Sequence, residues 1–128
     1  MFKNTKAFSS FSINDVAAAK EFYGETLGLN VDKMSVGLSI KLSGGAEIFL
    51  YPKEDHEPAT FTVLNFKVAD LDKAVDDLTA KGVKFEQYVG ETGTDAKGIM
   101  RSTDPTHGPS IAWFKDPAGN FLSVLQER

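Results

Sequence analysis

One half of this sequence repeats the other. Phe11, Ile13, Asp15 and Ala19 are matched by Phe66, Val68, Asp70 and Ala74 at a single constant offset. In the first half, residues 7–13 alternate as a strand does, and Asp15 stands as an N-cap before Val16, Ala19, Phe22 and Tyr23, which recur at helical spacing. Gly28 ends that helix, because glycine accepts the left-handed conformation at a helix C-terminus. β-rich segments follow at about 29–34, 36–42 and 46–51, with a turn at Gly44-Gly45. The second half runs in the same order. Residues 62–68 read as a strand, Asp70 as an N-cap, and Leu71, Ala74, Val75 and Leu78 as one helical face stopped by Gly82. Strands are expected near 83–88, 110–115 and 120–126, the last two joined by the turn Asp116-Pro117-Ala118-Gly119-Asn120. The reading is an α+β chain of tandem βαβββ modules, about 7–52 and about 61–126, within one domain over residues 1–128. Glu54–Pro58 is the linker. Between Val89 and Pro109 the second module carries a polar stretch, 90–108, without periodicity, which is read as a loop.

Composition removes several classes of function. A net charge of −4 and the lack of a basic run leave nothing to neutralise phosphates, so no nucleic-acid partner is expected. No apolar stretch approaches the roughly 20 residues that cross a bilayer, and none follows the N-terminus as in a signal peptide. A cytoplasmic, soluble protein is the expectation. With no cysteine, disulfides, thiolate nucleophiles and thiolate metal sites are excluded together. No G-x-S-x-G elbow occurs, and Gly44-Gly45 and Gly90-x-x-Gly93 lack the strand-to-helix context of a phosphate loop.

Three motifs in order carry a family resemblance over nearly the whole chain. Ile13-Asn14-Asp15 with Ala19, Phe22-Tyr23 and Leu27-Gly28-Leu29 resembles the opening of vicinal-oxygen-chelate proteins. Val68-Ala69-Asp70-Leu71 with Ala74 and Gly82-Val83 resembles the opening of their second module, and Phe114-Lys115-Asp116-Pro117-Ala118-Gly119-Asn120 their closing hairpin. The resemblance, to the glyoxalase/bleomycin resistance protein/dioxygenase superfamily, implies modules whose strands curve into an open mixed-sheet barrel around a cleft. It also implies modules that pair across a two-fold interface, so a homodimer is expected. The superfamily holds metal enzymes and antibiotic-binding proteins alike, and the fold does not choose between them.

The resemblance also implies where a metal would be held in the enzymes. Seven residues before the first motif Asp this chain has Phe8; the equivalent place in the second module is Val63; four residues after the hairpin glycine stands Ser123. None offers imidazole or carboxylate, and neither do the neighbours Ala7, Ser9, Leu64, Leu122 and Val124. No metal and no cofactor is expected. The two histidines, His56 in the linker and His107 in the 90–108 stretch, read as solvated loop residues, Asp104 as part of a turn with Pro105, and Glu47 as an outward-facing strand charge. Lys97 and Arg101 read as solvated charges, and acid–base roles for Glu47, Glu86, Glu91 or Asp95 have no positive support.

Strand period then describes the binding face. If position 8 faces the cleft, Ser10 and Ser12 do as well; Val63, Asn65 and Lys67 share a face, as do Phe121, Ser123 and Leu125, and Phe49 and Tyr51. Candidate ligand-binding residues are Phe8, Ser10, Phe49, Tyr51, Val63, Asn65, Trp113 and Ser123. Phe8, Phe49 and Trp113 fit either a ligand wall or a packed core, and Val63 fits core better. Aromatic rings with a few hydroxyls and one amide suit a planar, partly polar organic ligand. The expected function is metal-free binding of a small organic, aromatic molecule. The alternative is a lyase, isomerase or dioxygenase-like enzyme with unconventional or no metal, its catalytic residues not assigned.

Overall fold

The computed structural model describes residues 1–90, 93–104, 106 and 108–127. The chain divides into two compact units, Met1–Pro58 and Ala59–Arg128, and each repeats strand, helix and three strands.

In the first unit β1 (Ser9–Ile13) leads to α1 (Val16–Glu21), and β2 (Asn30–Lys33), β3 (Leu38–Lys41) and β4 (Glu47–Pro52) follow. The sheet order is β1-β4-β3-β2, with β1 parallel to β4 and the other pairs antiparallel. Asp15 caps α1 as expected, its Oδ1 accepting the Ala18 N–H at 3.0 Å. The helix does not close with an ordinary turn. Phe22–Thr26 widen into π-helical geometry, in which Leu27 N–H donates to Phe22 O at 2.9 Å, before Gly28 turns the chain at φ +71°. The Phe11 and Tyr23 rings meet at 6.4 Å and fix which sheet face lies under the helix. Ile13, Leu38, Ile40, Ile48 and Leu50 alternate onto that face and are buried. Ser10, Ser12, Ser39, Phe49 and Tyr51 therefore point the other way.

In the second unit β5 (Thr62–Lys67), α2 (Leu71–Ala80), β6 (Ile99–Met100), β7 (Ser110–Lys115) and β8 (Phe121–Gln126) form a sheet ordered β5-β8-β7-β6, with β5 parallel to β8. Asp70 caps α2 through the Lys73 N–H, 3.0 Å. Leu64, Leu122, Val124, Ala112, Phe114 and Ile99 form the core with Leu71, Val75, Val83 and Phe85. The β7–β8 hairpin turns on buried Asp116, whose Oδ1 accepts from Ala118 N and Asn120 N at 3.0 and 2.8 Å. Asn120 in turn accepts the Ala59 N–H, 3.0 Å, and ties the start of the unit to its last hairpin.

Two expectations need correction here. The segment 83–88 is not a strand: Phe85 makes one bridge to Phe114, and Glu86 N–H donates to Trp113 O at 2.8 Å. The missing strand is β6, inside the stretch read as loop. Unbroken pairing would bring Gln87 opposite Ala112, but Ile99 stands there instead, so the chain leaves the sheet after Glu86 and is paired again at Ile99. Two paired residues are too few to give a period, and the burial of Val83 and Phe85 mimics one. β5 also carries a register shift between Thr62 and Leu64, which leaves Val63 without a Cα partner in β8.

Candidate functional site

On the second unit the face turned away from the buried core has an ordered centre. Asn65 on β5, Ser123 on β8 and Trp113 on β7 are cross-strand neighbours in one row. Ser123 is fully buried (0% exposed), and its Oγ donates a short hydrogen bond, 2.5 Å, to Asn65 Oδ1. A buried hydroxyl needs a partner, and here the amide oxygen of exposed Asn65 supplies it, which leaves the Asn65 nitrogen as the donor end of that amide. Trp113 is half-buried, and the Tyr88 ring meets it edge-on at 5.9 Å and 80°. One row along, Phe121 lies between Thr62 and Lys115; the Lys115 ammonium sits 5.1 Å from the Phe121 ring and 3.5 Å from Glu86.

The first unit offers a matching face. Ser10 is paired with Phe49 and Ser12 with Tyr51, and the Phe49 and Tyr51 rings stack at 6.1 Å and 23°. His56 returns from the linker so that its Nδ1 is hydrogen-bonded to Ser12 Oγ at 2.6 Å, with its backbone held in a turn by Lys53 O. Phe8 lies one residue before β1 and is 67% exposed, so it is not core.

Seven of the eight candidate residues thus fall into three sets: Ser10, Phe49 and Tyr51 on one sheet, Asn65, Trp113 and Ser123 on the other, and Phe8 apart from both. Val63, at the register shift, is half-buried. As metal donors, Phe8, Val63 and Ser123 supply one hydroxyl between them, already engaged by Asn65, and no imidazole or carboxylate; they do not fit a divalent ion. Among the described residues no group of three or more His, Cys, Asp or Glu is placed to hold one. His107 and Glu91 lie outside the described residues. Asp104 accepts from Thr106 N and Oγ1 at 2.9 and 2.8 Å, and these bonds lower its carboxyl from the usual range, while Pro105, read with it as a turn, lies outside the described residues.

Sequence reading missed three features: the Ser12–His56 bond, Tyr88, and the charges that hold the chain near it. Lys97 and Arg101, read as solvated, are paired with helix α2. Arg101 Nη1 and Nη2 grip Asp72 at 2.9 and 2.8 Å, and Lys97 reaches Asp72 and Asp76 at 3.0 Å each. Hydrogen bonds from Arg101 first, then Lys97, hold the Asp72 carboxyl well below the ordinary carboxylate range. No local pattern announces contacts between residues so far apart in sequence. Among the described residues, no helix is long and apolar enough to cross a membrane.

Comparison with known proteins agrees with this architecture. The uncharacterized protein YraH of Bacillus subtilis (strain 168) is 29% identical over 110 residues, covering 74% of this chain and 86% of YraH. The antibiotic binding protein TnmS3 from Streptomyces sp. CB03234 superposes with a TM-score of 0.67 at 21% identity, covering 98% of each chain. Lactoylglutathione lyase from Agrobacterium tumefaciens gives 0.67 at 18% identity, covering 97% of this chain and 95% of the other. At these identities the two structures speak to fold alone. Residues 9–124 match the family model, and the chain belongs to the Glyoxalase/Bleomycin resistance protein/Dioxygenase superfamily.

Proposed function

We propose that this protein binds a flat, partly polar organic molecule without a metal, and that it works as a homodimer in the cytoplasm. One observation carries the reading: the row Trp113–Ser123–Asn65, where an indole, a buried hydroxyl and an amide lie side by side. The ring supplies a stacking surface, and the Asn65 amide orients a polar edge of the ligand. On its own sheet the first unit presents Ser10, Phe49 and Tyr51, with Phe8 just before β1, as a second set of candidate contacts, and Val63 stands beside the register shift of β5. Because a Ser replaces the carboxylate expected of a metal enzyme, the chain is suited to holding a ligand rather than activating one. Two-fold homodimers are the commonest oligomers, and light scattering that returned the 13.9 kDa monomer mass at all concentrations would remove that part of the proposal.

The test is a screen of aromatic metabolites and antibiotics by thermal shift and Trp113 emission together. Antibiotics belong in it because a protein of this fold is described as binding them. A true ligand raises the melting temperature by mass action and changes the emission of the single tryptophan. Ser123→Phe is expected to abolish both effects by crowding the row. Binding that survived this substitution would place the site elsewhere.

A second reading, a metal-independent lyase or isomerase, is favoured by the Ser12–His56 bond, since imidazole beside a hydroxyl is a common acid–base pairing. Turnover lost in His56→Ala but kept in Ser123→Phe would support it over the first.

A further inference from the structure

We infer that Tyr88 is a ligand-contacting wall of the Trp113 face, and that the Arg101–Asp72 ion pair is the positioning contact that keeps it there. The inference rests on the reading of that face as the binding surface.

The two ends of the excursion, 87–90 and 93–98, are tied to each other. Tyr88 N–H donates to Thr94 Oγ1 and Thr94 N–H to Tyr88 O, both at 2.9 Å, and Gln87 Nε2 donates to Ala96 O at 2.9 Å. At its base Asp95 gathers the returning chain: Oδ1 accepts from Lys97 N and Ile99 N at 2.9 and 3.0 Å, and Oδ2 accepts from Arg101 Nε at 2.9 Å. Gly98 closes the base at φ +90°, where a Cβ would lie 2.7 Å from that of Phe85. The Arg101 guanidinium thus joins two carboxylates, Asp95 on the excursion and Asp72 on α2. A planar fork that meets both is a geometric constraint as well as a charge pair.

What the base holds in place is an aromatic ring with little core to fill. Tyr88 is 42% exposed, yet its ring is aligned edge-on against Trp113 rather than turned to solvent. A ring in that place presents an edge and a phenol hydroxyl to whatever lies on the indole. Lys115, two residues along β7 on the same face, lies one row away, its ammonium over the Phe121 ring and 3.5 Å from Glu86. The ligand class these groups fit is a flat aromatic with a polar, hydrogen-bonding edge.

Naphthalene-2-carboxylate is the probe. Its affinity is measured by calorimetry, and acrylamide quenching of Trp113 is measured without it. Tyr88→Ala and Arg101→Ala are each expected to raise quenching and to weaken the probe about 3- to 10-fold, the worth of one aromatic edge contact. Tyr88→Phe should retain most of the binding, and Asp72→Asn should behave like Arg101→Ala, with far-UV circular dichroism confirming the fold of each. In the Tyr88→Ala background Arg101→Ala should add nothing further. If Arg101→Ala changes neither readout, or adds its whole effect to Tyr88→Ala, the positioning role is wrong. A folded wild type that does not bind the probe overturns the ligand role, and quenching still decides whether the ion pair holds Tyr88 on Trp113.

Discussion

Replacing Asp116 by Ala is expected to cost about 2–5 kcal/mol. Asp116 is 5% exposed, and its carboxylate accepts from Ala118 N at 3.0 Å, Asn120 N at 2.8 Å and Asn120 Nδ2 at 3.2 Å. Alanine leaves the two backbone donors without that acceptor, and each buried donor left unpaired costs about 1–3 kcal/mol. Entry of water into the vacated space sets the lower end of the sum. The damage reaches the site, because this turn sets the β7–β8 register that pairs Trp113 with Ser123, and a slip of one residue turns every side chain to the opposite face. Urea unfolding followed by far-UV circular dichroism and Trp113 emission is the assay. With a slope of about 1–3 kcal/mol/M, the midpoint should fall by roughly 0.7–5 M. Asp116→Asn keeps one acceptor oxygen and should lose about 1–2 kcal/mol. An Asp116→Ala midpoint within about 0.3 M of wild type would refute the assignment of the turn as the register clamp.

The ion pairs at the base of the excursion carry a pH signature. The folded-state Asp72 carboxyl is depressed, so its contribution is fully present above the unfolded value near ~3.9 and is lost only as pH falls through the lower folded value. Acrylamide quenching of Trp113 should therefore be flat from about pH 8 to about pH 5, and a transition inside that window would contradict it. Gly37 has φ +79°, and an added Cβ would lie 2.2 Å from Leu50 O. Gly37→Ala should destabilise the protein by more than the roughly 1–2 kcal/mol of a left-handed residue alone, read as a lowered thermal midpoint.

The repeat and its helix caps were legible because they are local. Asp15 and Asp70 bond to amides three residues on, and hydrophobic period shows which side of each strand is buried. Period does not show which backbone a strand pairs with. Val83 and Phe85 are buried as the pattern says, yet the pairing passes to Ile99–Met100 after a single bridge. The register shift at Val63 likewise leaves no local mark. Parity brought Asn65 and Ser123 into the reading and Trp113 entered it from its place beside the closing hairpin, whereas their meeting in one row, Tyr88 on Trp113 and His56 on Ser12 depend on strand pairing and on where loops return, which neither parity nor composition encodes.

The central claim, that the Trp113–Ser123–Asn65 face is a binding surface for flat organic molecules, is tested most directly by titrating isotope-labelled protein with naphthalene-2-carboxylate and following its amide spectrum. The Trp113 indole N–H, the Asn65 side-chain amide and the backbone amide of Ser123 are expected to shift together with one saturating affinity. The groove between α2 and residues 82–87, lined by Val75, Thr79 and Lys84, should stay unmoved. Shifts confined to that groove, or no saturable shift at Trp113, Asn65 and Ser123, would contradict the account.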